Sequence, residues 1–268
     1  MSKFCFTTFS LQNLTLAQAV ALAQCKNLSG IELRGRGHIS PDSSADEVRS
    51  ARHMLEDAGL EVACITAYMR FAQVSEAAER EQVSDVARYA ELCAKLGAKN
   101  IRAFMGTFPE EADPERVRAC AVTGLNWAAE AIRGSGVRLL IETHDSVKNG
   151  ALLKPFLEQL PDEIGALLDI IHPYDMGERI DDTLALIGPR IHHVHIKDIC
   201  ATVPGGRVYC RIGEGVVPVT DTVRAMNAFE FDGYYCLEWE KSAPETGGVL
   251  FDEQLESFIT FMRLEDKR

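Results

Sequence analysis

The 268-residue chain is 46% hydrophobic and 25% charged, with no composition break, Pro/Ser-rich linker or low-complexity tract, so one domain over 1–268 with a sizeable core is expected. A formal net charge of −12 repels polyanions and argues against nucleic acid or an anionic membrane surface as a main partner. Eight cysteines without a C-x-x-C pair read as reduced core thiols of a cytoplasmic protein. No run approaches the ~20 apolar residues of a transmembrane helix, and the N-terminal residues lack the apolar length of a signal peptide.

Lys3 to Phe9 reads as a first strand, followed by a helix that opens on the capping box Thr15-Leu-Ala-Gln18. Gly30-Ile-Glu-Leu-Arg34 is a second strand, and Ser44-Ala-Asp-Glu47 repeats the box before a helix ending at Gly59. A third strand runs from Glu61 to Tyr68; Ser75 then opens a long helix, with Val83, Val86, Ala90, Cys93 and Leu96 on one face, stopped by Gly97. Asn100 to Phe104 is the fourth strand, and Asp113-Pro114 starts a helix that runs to Gly134. The fifth strand is Val137 to Glu142. The sixth, seventh and eighth are Leu167-Leu-Asp169-Ile-Ile-His172, Arg190 to Asp198 and Tyr235-Cys-Leu-Glu238-Trp-Glu240, with helical patterns near 153–160, 181–187, 219–228 and 251–262. Eight strand-helix units of about 33 residues predict an α/β protein, a (β/α)₈ TIM barrel. A doubly wound dinucleotide-binding sheet would need a G-x-G-x-x-G turn after the first strand, where Ser10-Leu-Gln-Asn-Leu14 stands instead. Gly35-Arg-Gly37 and Gly213-Glu-Gly215 read as turns rather than phosphate cradles.

The last four strands all finish in ionisable residues, which are costly at buried strand ends unless paired. Alternation places His193, His195 and Lys197 on one face, with Val194 and Ile196 on the other. In a parallel barrel the C-terminal strand ends converge on one mouth, so Glu142, Asp169, His195 and Glu238 are expected to meet there as metal ligands. Three carboxylates and one imidazole suit Mn²⁺, Mg²⁺ or Co²⁺ better than a structural zinc, with Zn²⁺ as a further option. Glu240 is an alternative to Glu238. Glu32 and Arg34 either orient substrate hydroxyls or form a rim salt bridge, and Arg207 and Arg211 are either an anion clamp or solvated loop charges.

The strings Leu140-Ile-Glu-Thr-His144, Asp169-Ile-Ile-His172, His193-Val-His-Ile-Lys-Asp198, Ile212-Gly-Glu-Gly215 and Gly233-Tyr-Tyr-Cys-Leu-Glu-Trp-Glu240 resemble the xylose isomerase-like barrel superfamily, above all its sugar phosphate isomerase/epimerase group. The resemblance spans essentially the whole chain. It implies one divalent metal on the matching Glu, Asp, His and Glu, and a substrate contact from His172. Gly30-Ile-Glu-Leu33, Tyr68 and Ile101-Arg-Ala-Phe104 are similar to the 3-dehydroshikimate dehydratase branch, which implies a substrate pocket lined by Tyr68, Arg102, His144 and Lys197. The resulting expectation is an isomerase or epimerase of a sugar, sugar phosphate or related polyhydroxy carbonyl compound. It would work through a metal-stabilised enediolate, with Glu142, Glu238 and His144 as proton-transfer groups. The alternatives are a dehydratase of the 3-dehydroshikimate or inosose type and a catalytically inactive sugar-binding barrel. Endonuclease IV-type DNA repair fits poorly with the acidic charge and the lack of histidines in the early strands. The Ser75–Leu96 helix and the loops around Phe108 and Tyr174 offer a face for a homodimer or higher homo-oligomer.

Overall fold

In the computed structural model, which describes residues 2–203, 206–239 and 250–267, eight strands form one parallel sheet. They are β1 (Lys3–Phe6), β2 (Gly30–Arg34), β3 (Glu61–Arg70), β4 (Asn100–Phe104), β5 (Arg138–Glu142), β6 (Ile164–Asp169), β7 (Ile191–Ile196) and β10 (Tyr234–Leu237). Neighbours follow the order β1-β10-β7-β6-β5-β4-β3-β2. The two ends of that order meet: Thr7 forms a parallel bridge with Glu32, and the Arg34 amide donates to Thr8 Oγ1 at 2.8 Å. The sheet therefore closes into the expected (β/α)₈ barrel, with nine helices between the strands among the described residues.

Local sequence explains the helix starts. Both predicted capping boxes are present, at Thr15/Gln18 before α1 (Leu16–Cys25) and Ser44/Glu47 before α2 (Ala45–Asp57). Ser75 caps α3 (Glu76–Leu96), and Asp113 caps α4 (Pro114–Ile132), with proline at the first turn. Such caps are each worth ~1 kcal/mol. Gly97 ends α3 in a left-handed conformation, φ +76°, which glycine adopts without steric cost.

Some boundaries differ from those expected. β1 stops at Phe6 because the Thr7 side chain accepts the Phe9 amide and turns the chain into a 3₁₀ segment, Thr8–Leu11. Asn149 caps α5 (Gly150–Leu157), so that helix begins before Leu153. After β7 the expected long loop contains an antiparallel hairpin, β8 (Ile199–Val203) and β9 (Gly206–Tyr209). The hairpin is anchored by Asp198, whose carboxylate accepts from the amides of Ile199 (2.9 Å), Gly213 (3.0 Å), Gly215 (3.0 Å) and Val217 (3.2 Å). The Gly213-Glu-Gly215 turn is thus a cradle for an anion supplied by the chain itself. A Cβ at residue 215 would overlap Asp198 Oδ1.

Candidate metal centre and substrate mouth

Glu142 and Asp169 are the last residues of β5 and β6, His195 is the penultimate residue of β7, and Glu238 follows β10 directly. Register sets Asp169 beside His195, and His195 beside Cys236, two residues before Glu238. The four expected residues are buried, and each offers a ligand atom within 4.8 Å of the others. His195 Nδ1 lies 3.0 Å from Glu238 Oε2 and 3.7 Å from Glu142 Oε1. Lys197 Nζ lies 2.8 Å from Asp169 Oδ2 and 2.5 Å from Glu238 Oε2, and Arg102 Nε lies 2.7 Å from Glu142 Oε2. Three of the converging atoms, His195 Nδ1, Glu142 Oε2 and Glu238 Oε2, are buried without an aligned hydrogen bond. Unsatisfied atoms of this kind on two carboxylates and an imidazole, with the Asp169 carboxylate beside them, form a hard donor set that fits one divalent cation.

The electrostatics describe the same demand for positive charge. Burial alone would raise the Asp169 carboxyl, but the Lys197 ammonium and the His172 imidazole outweigh it and hold the group well below the usual range. Glu238 is likewise opposed by burial and drawn down to about 2 by His195 and Lys197. Burial would discharge His195, yet the Glu238 and Glu32 carboxylates keep its imidazole well above its ordinary value. These carboxylates thus favour the protonated form of the His195 imidazole, and Lys197 Nζ stands beside Asp169 and Glu238. A cation entering the cluster must displace the His195 Nδ1 proton.

Glu32 has a place that neither sequence alternative anticipated. It is fully buried inside the barrel. Its Oε2 hydrogen-bonds His195 Nε2 at 3.0 Å and lies 2.7 Å from His193 Nε2, while Oε1 accepts from Thr66 Oγ1 at 2.7 Å. It is neither a rim salt bridge nor a hydroxyl-orienting group. By accepting a hydrogen bond from Nε2–H it leaves Nδ1 of His195 as the nitrogen facing the cluster. Glu32, His193, His195 and Cys236 also lie close enough to suggest a second ion site. However, burial, with the neighbouring Cys5, pushes the Cys236 thiol well up, and the Glu32 oxygens are already engaged. This layer therefore reads as a hydrogen-bonded support for His195. The only signal in the sequence was a glutamate of inward parity on the second strand.

The remaining expected residues line the open side of the cluster. His172, in the short helix α6 (Ile171–Asp175), places Nε2 3.4 Å from Asp169 Oδ2. His144 lies just past β5, 36% exposed, with Nδ1 2.9 Å from Asp145 Oδ1 and its ring 4.5 Å from that of His172. Phe104 packs 4.9 Å from the His144 ring, and the Arg102 guanidinium stacks 4.0 Å from Phe104. Half-buried Tyr68 accepts from Arg34 Nε at 3.1 Å. Glu142, Asp169, His195, Glu238, Lys197, Arg102, His172 and His144 therefore share one mouth, and Tyr68 joins it through Arg102, whose guanidinium is 5.7 Å from the tyrosine ring. Arg207 and Arg211 do not form a clamp: Arg207 pairs with Asp175, and Arg211 with Glu253 at 3.0 Å. Glu240 lies outside the described residues.

Fold and cluster define a parallel (β/α)₈ barrel with a carboxylate-histidine centre at the C-terminal mouth of its strands. The chain belongs to the xylose isomerase-like TIM barrel family, whose model matches residues 20–259. It is 28% identical over 176 residues to "Uncharacterized protein YihM" of Escherichia coli (strain K12), an alignment covering 65% of this chain and 50% of that protein. The chain thus spans about half the length of that relative. Among solved structures it is similar to the probable 3-DHS dehydratase AsbF of Bacillus anthracis, with TM-score 0.79, 19% identity, and coverage of 97% of this chain and 98% of that one. IolI protein with a binding zinc atom has TM-score 0.79 and 19% identity, covering 98% and 96%. L-ribulose 3-epimerase has TM-score 0.80 and 16% identity, covering 100% and 96%. At these identities the likenesses establish the fold. No helix among the described residues is long and apolar enough to cross a membrane.

Proposed function

We propose that the chain is a divalent-metal-dependent isomerase or epimerase of a polyhydroxy carbonyl compound. The reading is carried by the convergence of Glu142, Asp169, His195 and Glu238 on one point within 4.8 Å, beside a mouth lined by His144, His172, Lys197, Arg102 and Tyr68. The family and the epimerase fold neighbour support it. A divalent ion held by these four side chains would supply Lewis-acid polarisation of a substrate carbonyl and its neighbouring hydroxyl. Mn²⁺, Mg²⁺ and Co²⁺ match the oxygen-rich donor set, and the zinc named for IolI keeps Zn²⁺ in the comparison.

The chain's own groups then handle protons. Glu142 and Glu238, on strands from either side of the cluster, give two carboxylates able to take the proton α to the carbonyl from one face and return it from the other. Lys197 and His195 hold Glu238 ionised, ready to accept. Arg102, paired with Glu142, fixes that carboxylate's direction. His172, whose imidazole the Asp169 carboxylate shifts above its ordinary value against the pull of burial, is placed to donate a hydrogen bond to a substrate hydroxyl.

One observation favours a second reading. His144 stands outside the ligand cluster, is accessible, and has its Nδ1 oriented by Asp145, as suits a separate general base that removes a proton while a β-hydroxyl leaves. That is the dehydratase reaction, and AsbF is a fold neighbour. Two experiments decide between them. Incubation with ketoses, their phosphates, hydroxypyruvate, inososes and 3-dehydroshikimate in D₂O should give metal-dependent deuterium incorporation without loss of water. An enone or aromatic chromophore from the last substrate would instead select the dehydratase. His144→Ala should leave kcat within about tenfold for the isomerase, but lower it by about 10² to 10⁴ with metal retained if His144 is the base.

A further inference from the structure

In a chain of net charge −12 arginines readily find carboxylates. Arg52 pairs with Glu56 at 2.7 Å, Arg133 with Glu130 at 3.0 Å, and Arg224 with Glu265 at 2.6 Å. Arg34, Arg36 and Arg70, like Arg80, Arg116, Arg138 and Arg263, have no acidic partner within ion-pair distance among the described residues, and what sets the three apart is where they stand. All three gather with Arg102 around two aromatic rings at the mouth. Arg34 bonds the Tyr68 hydroxyl, and Arg36 lies 5.0 Å from the Tyr68 ring. Arg70 lies 5.3 Å from the Phe104 ring, and Arg102 faces both rings. Register explains the grouping, because Arg34 aligns with Thr66, Thr66 with Arg102, and Arg70 with Phe104 across β2, β3 and β4.

Cation–π contact uses a guanidinium's faces and leaves edge N–H donors for an oxyanion; Arg34 spends two of its donors on the Tyr68 hydroxyl and Gln12 Oε1, and Arg102 spends one on the Ala67 carbonyl, so each keeps only its remaining N–H groups. Arg34, Arg36 and Arg70 carry like charges that no carboxylate among the described residues pairs, and an arriving anion relieves their repulsion, whereas Arg102 is already paired with Glu142. We propose that Arg34, Arg36, Arg70 and Arg102 form a subsite for an oxyanion group, phosphate or carboxylate, borne by the substrate. The link to a substrate rests on the function proposed above; the anion site stands on its own geometry. Arg102 joins the two halves of the mouth, since its Nε is 2.7 Å from Glu142, and the Phe104 ring separates Arg70 from His144. A molecule with an oxyanion at one end and a hydroxy-carbonyl group at the other would span from the β2–β4 rim to the ligand cluster.

The test is isothermal titration of the full chain with inorganic phosphate, and separately with malonate, at fixed ionic strength in chloride. The exposed pair is changed in Arg36→Ser/Arg70→Ser, with Mn²⁺ affinity as the check that the barrel is intact. Wild type should bind at least one of the two anions, and the double variant should bind it about tenfold or more weakly with Mn²⁺ affinity retained. Preference for phosphate assigns a phosphate ester, and preference for malonate assigns a carboxylic acid. No binding by wild type, or equal binding by the variant, overturns the subsite. Because the readout is binding, anion capture without deuterium exchange into any carbonyl compound would refute the isomerase reading alone. Exchange without anion capture would refute the subsite alone.

Discussion

Replacing Glu32 by Gln isolates the electrostatic part of His195 positioning. The substitution preserves volume at a fully buried site, and the amide oxygen can take the place of Oε2 between His193 and His195, while the amide NH₂ faces Thr66 Oγ1, which then accepts instead of donating. Hydrogen-bond number is conserved and one negative charge is lost. Unit charges about 4 Å apart at an effective dielectric near 20 interact by ~4 kcal/mol. A neutral imidazole ligand carries only a fraction of a charge at Nε2, which leaves ~1–3 kcal/mol, or about tenfold to a hundredfold weaker metal binding. Titration of wild type and variant with Mn²⁺, followed by electron paramagnetic resonance and calorimetry, measures this directly. Metal-free thermal unfolding shows whether the barrel survives. Affinity within twofold of wild type in a folded variant would refute the role assigned to Glu32. Glu32→Ala is the less informative change, because it leaves a cavity and two buried imidazoles short of a partner.

Asp169→Ala and His195→Ala should each sharply lower metal content by elemental analysis while the eight-stranded barrel remains folded by circular dichroism; full occupancy in both would show the ligand set wrong. Glu79, fully buried on α3, has Oε2 unpartnered, and burial lifts its carboxyl from 4.5 to about 8 against the Gln73 amide that opposes the rise. The folded state therefore keeps the proton that the unfolded chain releases near 4.5, so stability falls as pH rises from about 4.5 to 8 and is level beyond. The ceiling on this penalty is ~5 kcal/mol. Glu79→Gln should be more stable than wild type at pH 8.5, with the gap closing toward pH 4.5 in thermal melts; parallel pH profiles would count against the assignment. Gly215→Ala should lower the melting temperature and make the β8–β9 hairpin more sensitive to proteolysis, because the added methyl displaces the Asp198 carboxylate from its four amides.

The convergence of Glu142, Asp169, His195 and Glu238 was legible because it needs only two regularities. Alternation assigns Glu142, His195 and Glu238 to the inner face of their strands, and parallel closure carries every C-terminal strand end to the same mouth. Neither regularity depends on loop conformation. Glu32 has the same inward parity, yet its role depends on which side chain it meets across the barrel interior, and that partner, His195, is 163 residues away. Periodicity gives the face of a strand and says nothing of what stands opposite, so this carboxylate could be read only as a hydroxyl-orienting group or a rim salt bridge.

The arginines show the complementary limit. Arg207 and Arg211 lie in the loop where an anion clamp would be expected, but the hairpin and α9 (Phe251–Glu265) bring Asp175 and Glu253 to them. Arg34 and Arg70 are placed beside Tyr68 and Phe104 by strand register, and Arg36 by the turn that follows β2. Whether an arginine is free to recognise a ligand is a property of its neighbours' charges rather than of its own position in the chain. For this barrel the convergence of the four proposed ligands follows from strand pattern, whereas the proposed oxyanion subsite depends on where the tertiary fold sets arginines and acidic residues relative to one another.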